Sequence, residues 1–487
     1  MKIISILAFM MLGLGACGGS SSPEPTQQPP NNPPPTGGIG RTGVAIGPIS
    51  NFGSVGVNGV HYSTSSATFT VNDMSGSEDD LSVGQVVIVL GTIDDNLTTG
   101  TATDVIFDDN VTGPIDSIDL AAGRLVVFGQ TVIVGAQTSF DDNISPASLE
   151  GLSVNDIVEV SGLVDGDGNI EATRIEKKAV TSQLEVHGVV SGLDTTNFRF
   201  MINLLQVDYT SATLDDFPGG EIANGDFVEV KGSGFGTGGI FTASSVELEV
   251  GGFDGDDDGT HVEVEGFITR FDSAQDFAVS GIAVITNSTT AFEGGTAADL
   301  GLNVKVEVEG EINSSGVLVA EKVDIRRSNA VRVTALVDSV DTADRSLVML
   351  GITVEVDELT RLEDKSDADV SPLNLSDIRM GDYLEIRGDE TAGGGGRVVA
   401  ALLERDDPDS RTELRGFVES VNEPSFSILI LGVTIETNGG TVFRDTDEST
   451  ISRTDFFERV AAGSQVEARG TESSATTILA VEVEFEN

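Results

Sequence analysis

The chain has 487 residues, with 27 Lys and Arg against 79 Asp and Glu, which gives a formal net charge of −52. This balance argues against binding to DNA, RNA or anionic lipid surfaces, because those partners need clustered Lys and Arg. The length allows several domains, and a hydrophobic content of 39% argues against wholesale disorder. The acidic surplus fits either a solvating surface or a capacity for divalent cations.

The N-terminal segment predicts export and a lipid anchor. Residues 1–16 contain an apolar run that has the length of a signal-peptide core and is too short to span a bilayer. The run ends in Leu-Gly-Ala before Cys17, which is the single cysteine of the chain. This tetrapeptide resembles the bacterial lipobox, which implies cleavage before Cys17 and acylation of its thiol. The alternative is an ordinary export signal with an incidental cysteine.

A proline-rich tether follows the predicted anchor. Residues 18–38 hold seven of the 14 prolines of the chain, among Ser, Gln, Asn and Thr. Such a composition cannot form a core, and at about 3 Å per residue it predicts a semi-rigid, extended segment of roughly 60 Å. We bound the whole tether at residues 17–42. Gly18 follows the cysteine, which within the lipobox resemblance favours attachment to the outer membrane.

The rest of the chain is organised by an eleven-residue stretch that recurs six times. The stretch opens apolar, turns at Gly or Asn, then alternates and stops at Gly. Its copies are Leu81–Gly91, Leu152–Gly162, Ile222–Gly232, Leu300–Gly310, Ile378–Gly388 and Val460–Gly470. The closing glycines are 71, 70, 78, 78 and 82 residues apart, which predicts an array of six similar units. Their predicted bounds are 43–109, 110–178, 183–250, 260–327, 330–405 and 412–487.

Each unit is predicted to be a small β-barrel. Val and Ile alternate with polar residues at period two, and glycines inside the predicted strands suggest the sharp bends that a closed barrel needs. Five short strands, with a helical turn at Pro146–Leu152 between the third and fourth strands of the second unit, give the order of an OB-like barrel. The alternative is an array of β-sandwiches, for which each unit is short.

This repeat pattern resembles an uncharacterised family of bacterial envelope proteins that carry tandem small OB-like β domains, often behind a lipobox. The resemblance covers Gly43 to the end and implies an all-β fold and an envelope location, with no catalytic residues. The short joints between units predict a jointed rod in which the barrels follow one another in chain order.

One outward position of the recurring stretch is acidic in five of the six copies. These residues are Glu159, Glu229, Glu307, Glu385 and Glu467. They are predicted to face solvent, where charge protects β surfaces from pairing with other chains. The alternative is a repeated acidic binding stripe.

The sequence suggests one calcium-binding loop. It does not require any cofactor. Oxygen-bearing residues alternate through the acidic joint before the fourth unit and match the pattern of an EF-hand loop, although the flanking segments predict strands. The candidate ligands are Asp254, Asp256, Asp258, Thr260, Glu263 and Glu265. The alternative is a solvated acidic linker. Asp165–Asn169 matches the same pattern less well, and it also fits an ordinary hairpin turn.

The sequence argues against an enzyme. It contains no catalytic motif, and its three histidines lie in different units without a His or Cys neighbour at ligand spacing, which argues against a zinc or haem site. We therefore predict a non-enzymatic, lipid-anchored outer-membrane protein, an acidic rod for spacing or surface interaction, attached to the membrane through Cys17. Its partner would be an unknown envelope protein or glycan, and not a nucleic acid.

The alternative function is a ligand-binding module. In that hypothesis an OB-like groove holds a glycan or peptide, with or without calcium, and the third unit is the first to inspect because it is rich in aromatic residues. The groove residues would be Phe198, Phe200 and Tyr209. The lack of Trp weakens the glycan version, because flat aromatic platforms are scarce.

Overall fold

The recurring stretch leads into the fourth strand of a closed five-stranded barrel, and this barrel is built six times. The computed structural model describes residues 41–94, 98–120, 122–180, 183–249, 252–253, 257–326, 331–357, 360–368, 370, 372–391, 396–409, 411–446 and 449–486. We number the barrels 1 to 6 in chain order. The predicted signal peptide, Cys17 and the tether lie outside the described residues.

The first three barrels are formed as follows. Barrel 1 contains β1 (Arg41–Asn51), β2 (Val55–Val57), β3 (Val60–Ser63), β4 (Thr68–Val71), β5 (Met74–Gly76), β6 (Val86–Ile93) and β7 (Thr99–Phe107). Barrel 2 contains β8 (Val111–Asp119), β9 (Arg124–Val127), β10 (Gln130–Phe140), β11 (Ile157–Val164) and β12 (Ile170–Lys178). Barrel 3 contains β13 (Leu184–Val189), β14 (Ser191–Asp194), β15 (Arg199–Ile202), β16 (Leu205–Asp208), β17 (Thr213–Asp215), β18 (Phe227–Phe235) and β19 (Phe241–Leu248).

The last three barrels repeat this order. Barrel 4 contains β20 (His261–Ser273), β21 (Asp276–Val279), β22 (Ile282–Ile285), β23 (Ala291–Glu293), β24 (Lys305–Ile312) and β25 (Leu318–Ile325). Barrel 5 contains β26 (Val331–Leu336), β27 (Ser339–Asp341), β28 (Ser346–Met349), β29 (Ile352–Glu355), β30 (Arg361–Asp364), β31 (Tyr383–Glu390) and β32 (Arg397–Asp406). Barrel 6 contains β33 (Thr412–Asn422), β34 (Ser427–Ile430), β35 (Val433–Glu436), β36 (Val442–Arg444), β37 (Thr450–Ile451), helix α1 (Arg453–Arg459), β38 (Gln465–Ser474) and β39 (Thr477–Phe485). Short 3-10 turns lie at Glu78–Asp80, Leu149–Gly151, Ala297–Asp299, Leu375–Asp377 and Glu423–Ser425.

Barrel 2 shows the strand order in its simplest form. Strand β8 pairs with β9, β9 pairs with β10, and β10 runs parallel to β12. Strand β12 then pairs with β11, and β11 returns to β8, which closes the barrel. The order 1-2-3-5-4-1 is that of an OB-like barrel, so the all-β class and the tandem barrels are confirmed.

The Gly or Asn of each recurring stretch occupies a left-handed turn. The backbone φ angles are 87° at Gly84, 71° at Asn155, 95° at Gly225, 64° at Asn303, 89° at Gly381 and 90° at Gly463. Glycine and asparagine tolerate this region better than other residues. The N–H of each turn residue also donates to a carbonyl of the first strand, as from Gly84 to Ile49 at 2.8 Å. The turn therefore fixes where the fourth strand begins.

The closing glycine of the stretch faces a β-bulge in the fifth strand. Gly470, for example, pairs with Ala480 at a register shift, and a Cβ atom at Gly470 would lie 2.2 Å from the carbonyl oxygen of Leu479. The same approach, between 2.0 and 2.5 Å, occurs at all six closing glycines. Only a residue without a side chain fits there, which explains why the stretch always ends in glycine.

A second set of glycines lies in hairpins and not inside strands as we predicted. Phe128 and Gly129 form the two-residue turn between β9 and β10, with φ angles of 48° and 74°. Positive φ at both central residues is the signature of a type I′ turn, which matches the twist of the flanking strands. The turn therefore separates β9 from β10.

The barrels are joined in pairs through their first strands. Strand β8 of barrel 2 pairs with β13 of barrel 3, β26 of barrel 5 pairs with β33 of barrel 6, and β1 of barrel 1 runs parallel to β20 of barrel 4. Each pairing covers the part of a first strand that has only one neighbouring strand within its own barrel. Because barrel 1 is paired with barrel 4, the prediction of a rod with units in chain order is wrong.

The acidic position of the recurring stretch is not exposed to solvent, which corrects our prediction. Glu159, Glu229, Glu307 and Glu467 are buried, and the side chain of Glu385 is 16% exposed. Each of the five forms an ion pair with a cation: Glu159 with Lys178, Glu229 with Lys231, Glu307 with Arg326, Glu385 with Arg332 and Glu467 with Arg469. The physical reason is that the fourth strand flanks the first, so its outward face lies in or beside the seam between paired barrels.

Among the described residues, no helix has both the length and the apolar character that crossing a membrane requires.

The closing glycine provides a direct test of this packing. We expect Gly470→Ala to destabilise barrel 6 by about 1–3 kcal/mol, because the new methyl group must displace the backbone at the bulge. Gly439→Ala is the matched control, since a Cβ atom there meets nothing within 4 Å. Hydrogen exchange of the amides in β38 and β39 measures the effect locally. Equal protection in the two variants would contradict this account of the motif.

Candidate functional site

Barrel 2 holds its neighbours through an irregular stretch of strand β10. The pairing of β10 with β12 shifts register between residues 134 and 139. Three cations of barrel 5 donate to carbonyl oxygens in this stretch or next to it: Arg361 to Gln137, Arg387 to Thr138 at 3.1 Å, and Lys365 to Phe140 at 2.8 Å. Lys305 of barrel 4 donates to the side-chain oxygen of Gln137 at 3.0 Å. These contacts place barrels 4 and 5 against barrel 2.

A cavity of about 750 Å³ opens where barrels 2, 4, 5 and 6 meet. A smaller cavity of about 280 Å³ shares Gln137, Lys305 and Arg326 with it and extends towards barrel 1. The larger volume lies within the range of small-molecule binding sites, which often form between domains. We call it the central cavity.

Positive charge is concentrated around the central cavity. Its cationic lining residues are Lys305, Arg326, Arg332, Arg387 and Arg415, and its acidic lining residues are Glu150 and Glu171. The chain has only 27 Lys and Arg in total, against 79 acidic residues. A wall with five cations and two carboxylates is therefore a marked exception to the charge of the whole protein.

Arg332 and Arg415 form the centre of this basic wall. They are direct partners across the β26–β33 pairing that joins barrels 5 and 6. Like charges in this arrangement repel each other. Each guanidinium is held by one carboxylate, Arg332 by Glu385 at 2.6 Å and Arg415 by Glu486 at 3.2 Å.

The two arginines still have hydrogen-bonding capacity. The Nε atom of each is buried and has no hydrogen-bond partner among the described residues. The side chains of Arg332 and Arg415 are 34% and 32% exposed. An anion between them would reduce their mutual repulsion and could accept further N–H bonds.

Carboxylates lie behind Arg326, a third cation of the cavity. Arg326 contacts Glu307 and, at 2.8 Å, Asp324. Burial acts to lower the pKa of Arg326, but Glu307, Glu265 and Asp324 raise it above its ordinary value. Burial in turn raises the pKa of Glu307 to about 7, although Arg326 opposes that shift. The carboxylates thus sit in the seams while the cations face the cavity.

The remaining wall of the central cavity is largely apolar. Leu120, Val134, Leu149, Phe267 and Phe417 contribute to it. Leu120 is 50% exposed and Phe417 43% exposed, which is high for large apolar side chains next to a cavity. The arrangement suits an organic anion, whose oxygens meet the arginines while an apolar body covers Leu120 and Phe417.

The predicted calcium ligands are only partly described, and those that are do not converge. Asp254 and Asp256 lie outside the described residues. Asp258 is exposed in a turn, and Thr260 immediately precedes strand β20. Glu263 and Glu265 point outward from β20, where Glu265 forms an ion pair with Lys305 at 3.0 Å. The flanking segments are strands, as predicted, so Glu265 is directed to the barrel 2 seam and not to the loop.

The aromatic residues predicted to form a groove in barrel 3 instead fill its core. Phe200 is 1% exposed and Tyr209 9% exposed, and their ring centroids are 5.6 Å apart. Phe198 is the exposed member and makes an edge-to-face contact with Tyr209 at 5.6 Å. The groove hypothesis is therefore wrong for Phe200 and Tyr209, because a closed barrel of this size uses its interior aromatics for packing.

The sequence analysis missed the cations of the central cavity. One signal was present, since 12 of the 27 Lys and Arg fall between residues 326 and 415. That local enrichment in an otherwise acidic chain marks barrel 5 and its joints as the region where anions or buried carboxylates are held. It does not say which cations share one cavity, because they come from three barrels.

Comparison with known families gives one match. A family model described as a domain of unknown function, DUF5666, matches six segments of the chain: residues 45–105, 112–176, 187–247, 265–324, 334–404 and 415–484. No curated protein matches the chain.

The buried carboxylates predict an unusual dependence of stability on pH. Burial raises the pKa of Glu185, Glu307 and Glu404 to about 7 each. In the unfolded chain these groups ionise near pH 4.5, so their protonation favours the folded state and is lost as the pH rises through 7. We expect the melting temperature to fall by a few degrees between pH 6 and pH 8.

A pair of variants tests the source of this dependence. Glu404→Gln removes one of the three groups and should flatten the fall in melting temperature. Glu355→Gln changes a half-exposed carboxylate of the same barrel and should leave the slope unchanged. A melting temperature that rises from pH 6 to pH 8 in the parent protein would contradict the assignment.

Proposed function

Because the chain belongs to the DUF5666 family of domains of unknown function, we propose that its role is binding. The central cavity takes up an organic anion, and the protein presents this site at the bacterial cell envelope. The protein acts without catalysis, as a receptor or carrier for its ligand.

The observation that carries the proposal is the Arg332–Arg415 pair. Two arginines in direct register, each with a side chain about one third exposed, line a cavity of about 750 Å³ in a chain of net charge −52. Guanidinium groups bind carboxylates and phosphates through parallel N–H bonds, and this geometry is selective as well as strong. Lys305, Arg326 and Arg387 add positive potential from the other walls.

The apolar wall supports an anion with a hydrocarbon body over a bare inorganic ion. Leu120 and Phe417 are exposed beside the arginines, and covering them would contribute favourable burial. An acyl or alkyl chain that carries one phosphate or carboxylate meets both requirements. A neutral glycan meets neither, which makes the glycan alternative the weaker of the two binding hypotheses.

Envelope attachment is supported by the sequence around Cys17. The lipobox-like tetrapeptide would place acyl groups on Cys17, and several chains together give lasting attachment to the outer membrane. The tether over residues 17–42 would then hold the barrels off the membrane. The earlier idea of a spacing rod lacks a geometric basis, since barrel 1 packs on barrel 4.

Anion binding is tested by titrating the full chain with octyl phosphate in a calorimeter. We expect one binding event, weaker binding of inorganic phosphate, and none of the neutral octyl glucoside. Arg415→Gln should weaken octyl phosphate binding about tenfold or more, because it removes a charge-assisted contact of about 1.5–3 kcal/mol. Arg411→Gln, at a 72% exposed side chain outside the cavity, is the matched control. Equal affinity of the two variants, or no heat with octyl phosphate, would rule out the proposal.

The anchor is tested separately from the cavity. We expect Cys17→Ser to abolish labelling of the protein by an azido fatty acid and to move it from the membrane fraction to the soluble fraction of the cell. Ser20→Ala, three residues further on, should change neither result. Membrane association that survives Cys17→Ser would show that the attachment does not depend on acylation of this thiol.

A further inference from the structure

The seam between barrels 1 and 4 contains a histidine whose ring nitrogens are not satisfied. His261 begins strand β20 and pairs with Gly43 of barrel 1. Its side chain is 0% exposed, and neither ring nitrogen has a hydrogen-bond partner among the described residues. A buried imidazole ordinarily donates from one nitrogen and accepts at the other, so this is an uncommon environment.

Carboxylates surround the Nε2 atom of His261 at distances too long for hydrogen bonds. Glu263 Oε1 lies 3.6 Å away and Glu309 Oε1 3.7 Å away. One ligand atom from each of His261, Glu309 and Glu321 lies within 4.8 Å of the other two. Glu263 is itself buried, and its Oε2 atom has no hydrogen-bond partner among the described residues.

These spacings are those of ligands around one metal ion. Imidazole nitrogens and carboxylate oxygens bind Zn²⁺ at about 2.0–2.2 Å, so two ligand atoms of the same ion lie roughly 3–4 Å apart. The three converging residues come from three strands: His261 from β20, Glu309 from β24 and Glu321 from β25. Glu263 and Glu309 are direct partners across the β20–β24 pairing, so the sheet fixes their separation.

The second oxygen of Glu309 is held from the other side. Lys322 Nζ lies 3.7 Å from Glu309 Oε2, which leaves Oε1 directed at His261. Glu309 thus has one oxygen near a cation and the other near His261. Contacts of this kind behind a metal ligand orient the ligand. On the barrel 1 side, Asn58 donates to the backbone oxygen of Glu263 at 3.2 Å and thereby fixes the strand that carries His261.

A comparable cluster in barrel 3 differs in one respect. Glu185, His187 and Glu229 also bring three ligand atoms within 4.8 Å of one another. There, however, the ammonium group of Lys231 contacts Glu229 and lies 3.7 Å from Glu185. Lys231 therefore already occupies a position between the carboxylates of that cluster. In the His261 cluster, Lys322 lies beside the second oxygen of Glu309, on the side away from His261.

We propose that His261, Glu309 and Glu321 bind one divalent transition-metal ion of the zinc type, which stabilises the seam between barrels 1 and 4. A nitrogen ligand with several carboxylates suits Zn²⁺ and related ions, while Ca²⁺ prefers oxygen ligands throughout. None of these residues lines the central cavity. The sequence argued against zinc because no His or Cys lies near His261 along the chain, but the other ligands here are carboxylates from neighbouring strands.

The metal site is tested on the full chain carrying Cys17→Ser, so that the thiol cannot bind zinc, after dialysis against EDTA. We expect Zn²⁺ to bind with a stoichiometry of one in calorimetry at 150 mM NaCl and to raise the melting temperature by a few degrees, because the ion binds the folded state alone. Ca²⁺ added at the same concentration should bind at least tenfold more weakly.

Variants locate the ion. Glu321 is exposed, so Glu321→Gln should fold normally and weaken zinc binding at least tenfold. Glu293→Gln, at another exposed carboxylate of barrel 4, should bind as the parent does. His261→Gln should abolish the zinc-dependent rise in melting temperature. The proposal is overturned if the parent binds no zinc, if Glu321→Gln binds as tightly as Glu293→Gln, or if His187→Gln removes the binding instead.

Discussion

The arrangement of the barrels depends on cations that replace missing backbone partners in strand β10 of barrel 2. Where β10 leaves its register with β12, carbonyl oxygens lack regular ladder partners, and leaving a buried polar group unpaired costs about 1–3 kcal/mol. Arg361 and Arg387 of barrel 5 supply donors there, and Lys365 adds one to Phe140 beside the irregular stretch. One set of contacts therefore completes barrel 2 and docks barrel 5 against it.

The strong acidity of the chain makes each of these cations consequential. A buried carboxylate is costly unless it is paired, so the glutamates of the fourth strands draw Arg and Lys into the seams. The ion pairs offset only part of the cost of burying these carboxylates. Burial still raises the pKa of Glu307 and Glu404 to about 7, although Arg326 and Arg387 oppose the shift. This pattern favours specificity as the role of the ion pairs: they select which barrels pack together more than they add to stability.

Both candidate sites accordingly lie between barrels. The barrel interiors are filled by Val, Ile, Leu and Phe, and in barrel 3 the aromatic residues that looked available from the sequence are part of that filling. In the seams, the charged outer faces of different barrels pack against each other. They leave cavities between them. The central cavity with its arginines and the His261 cluster are both products of such seams, although they have opposite charge and suit opposite ligands.

The amino-acid sequence by itself determined the repeat, the barrel and its turns. The recurring glycines and asparagines require a left-handed turn and a bulge, and these are local requirements of the backbone. The association of the barrels was decided by the tertiary structure alone. It rests on hydrogen bonds between residues far apart in the sequence. Asn58 donates to the backbone oxygen of Glu263, 205 residues away, and Arg387 donates to the backbone oxygen of Thr138, 249 residues away. Periodicity assigned the glutamates to outward positions, but whether an outward face meets water or another barrel depends on how distant surfaces match in shape and charge.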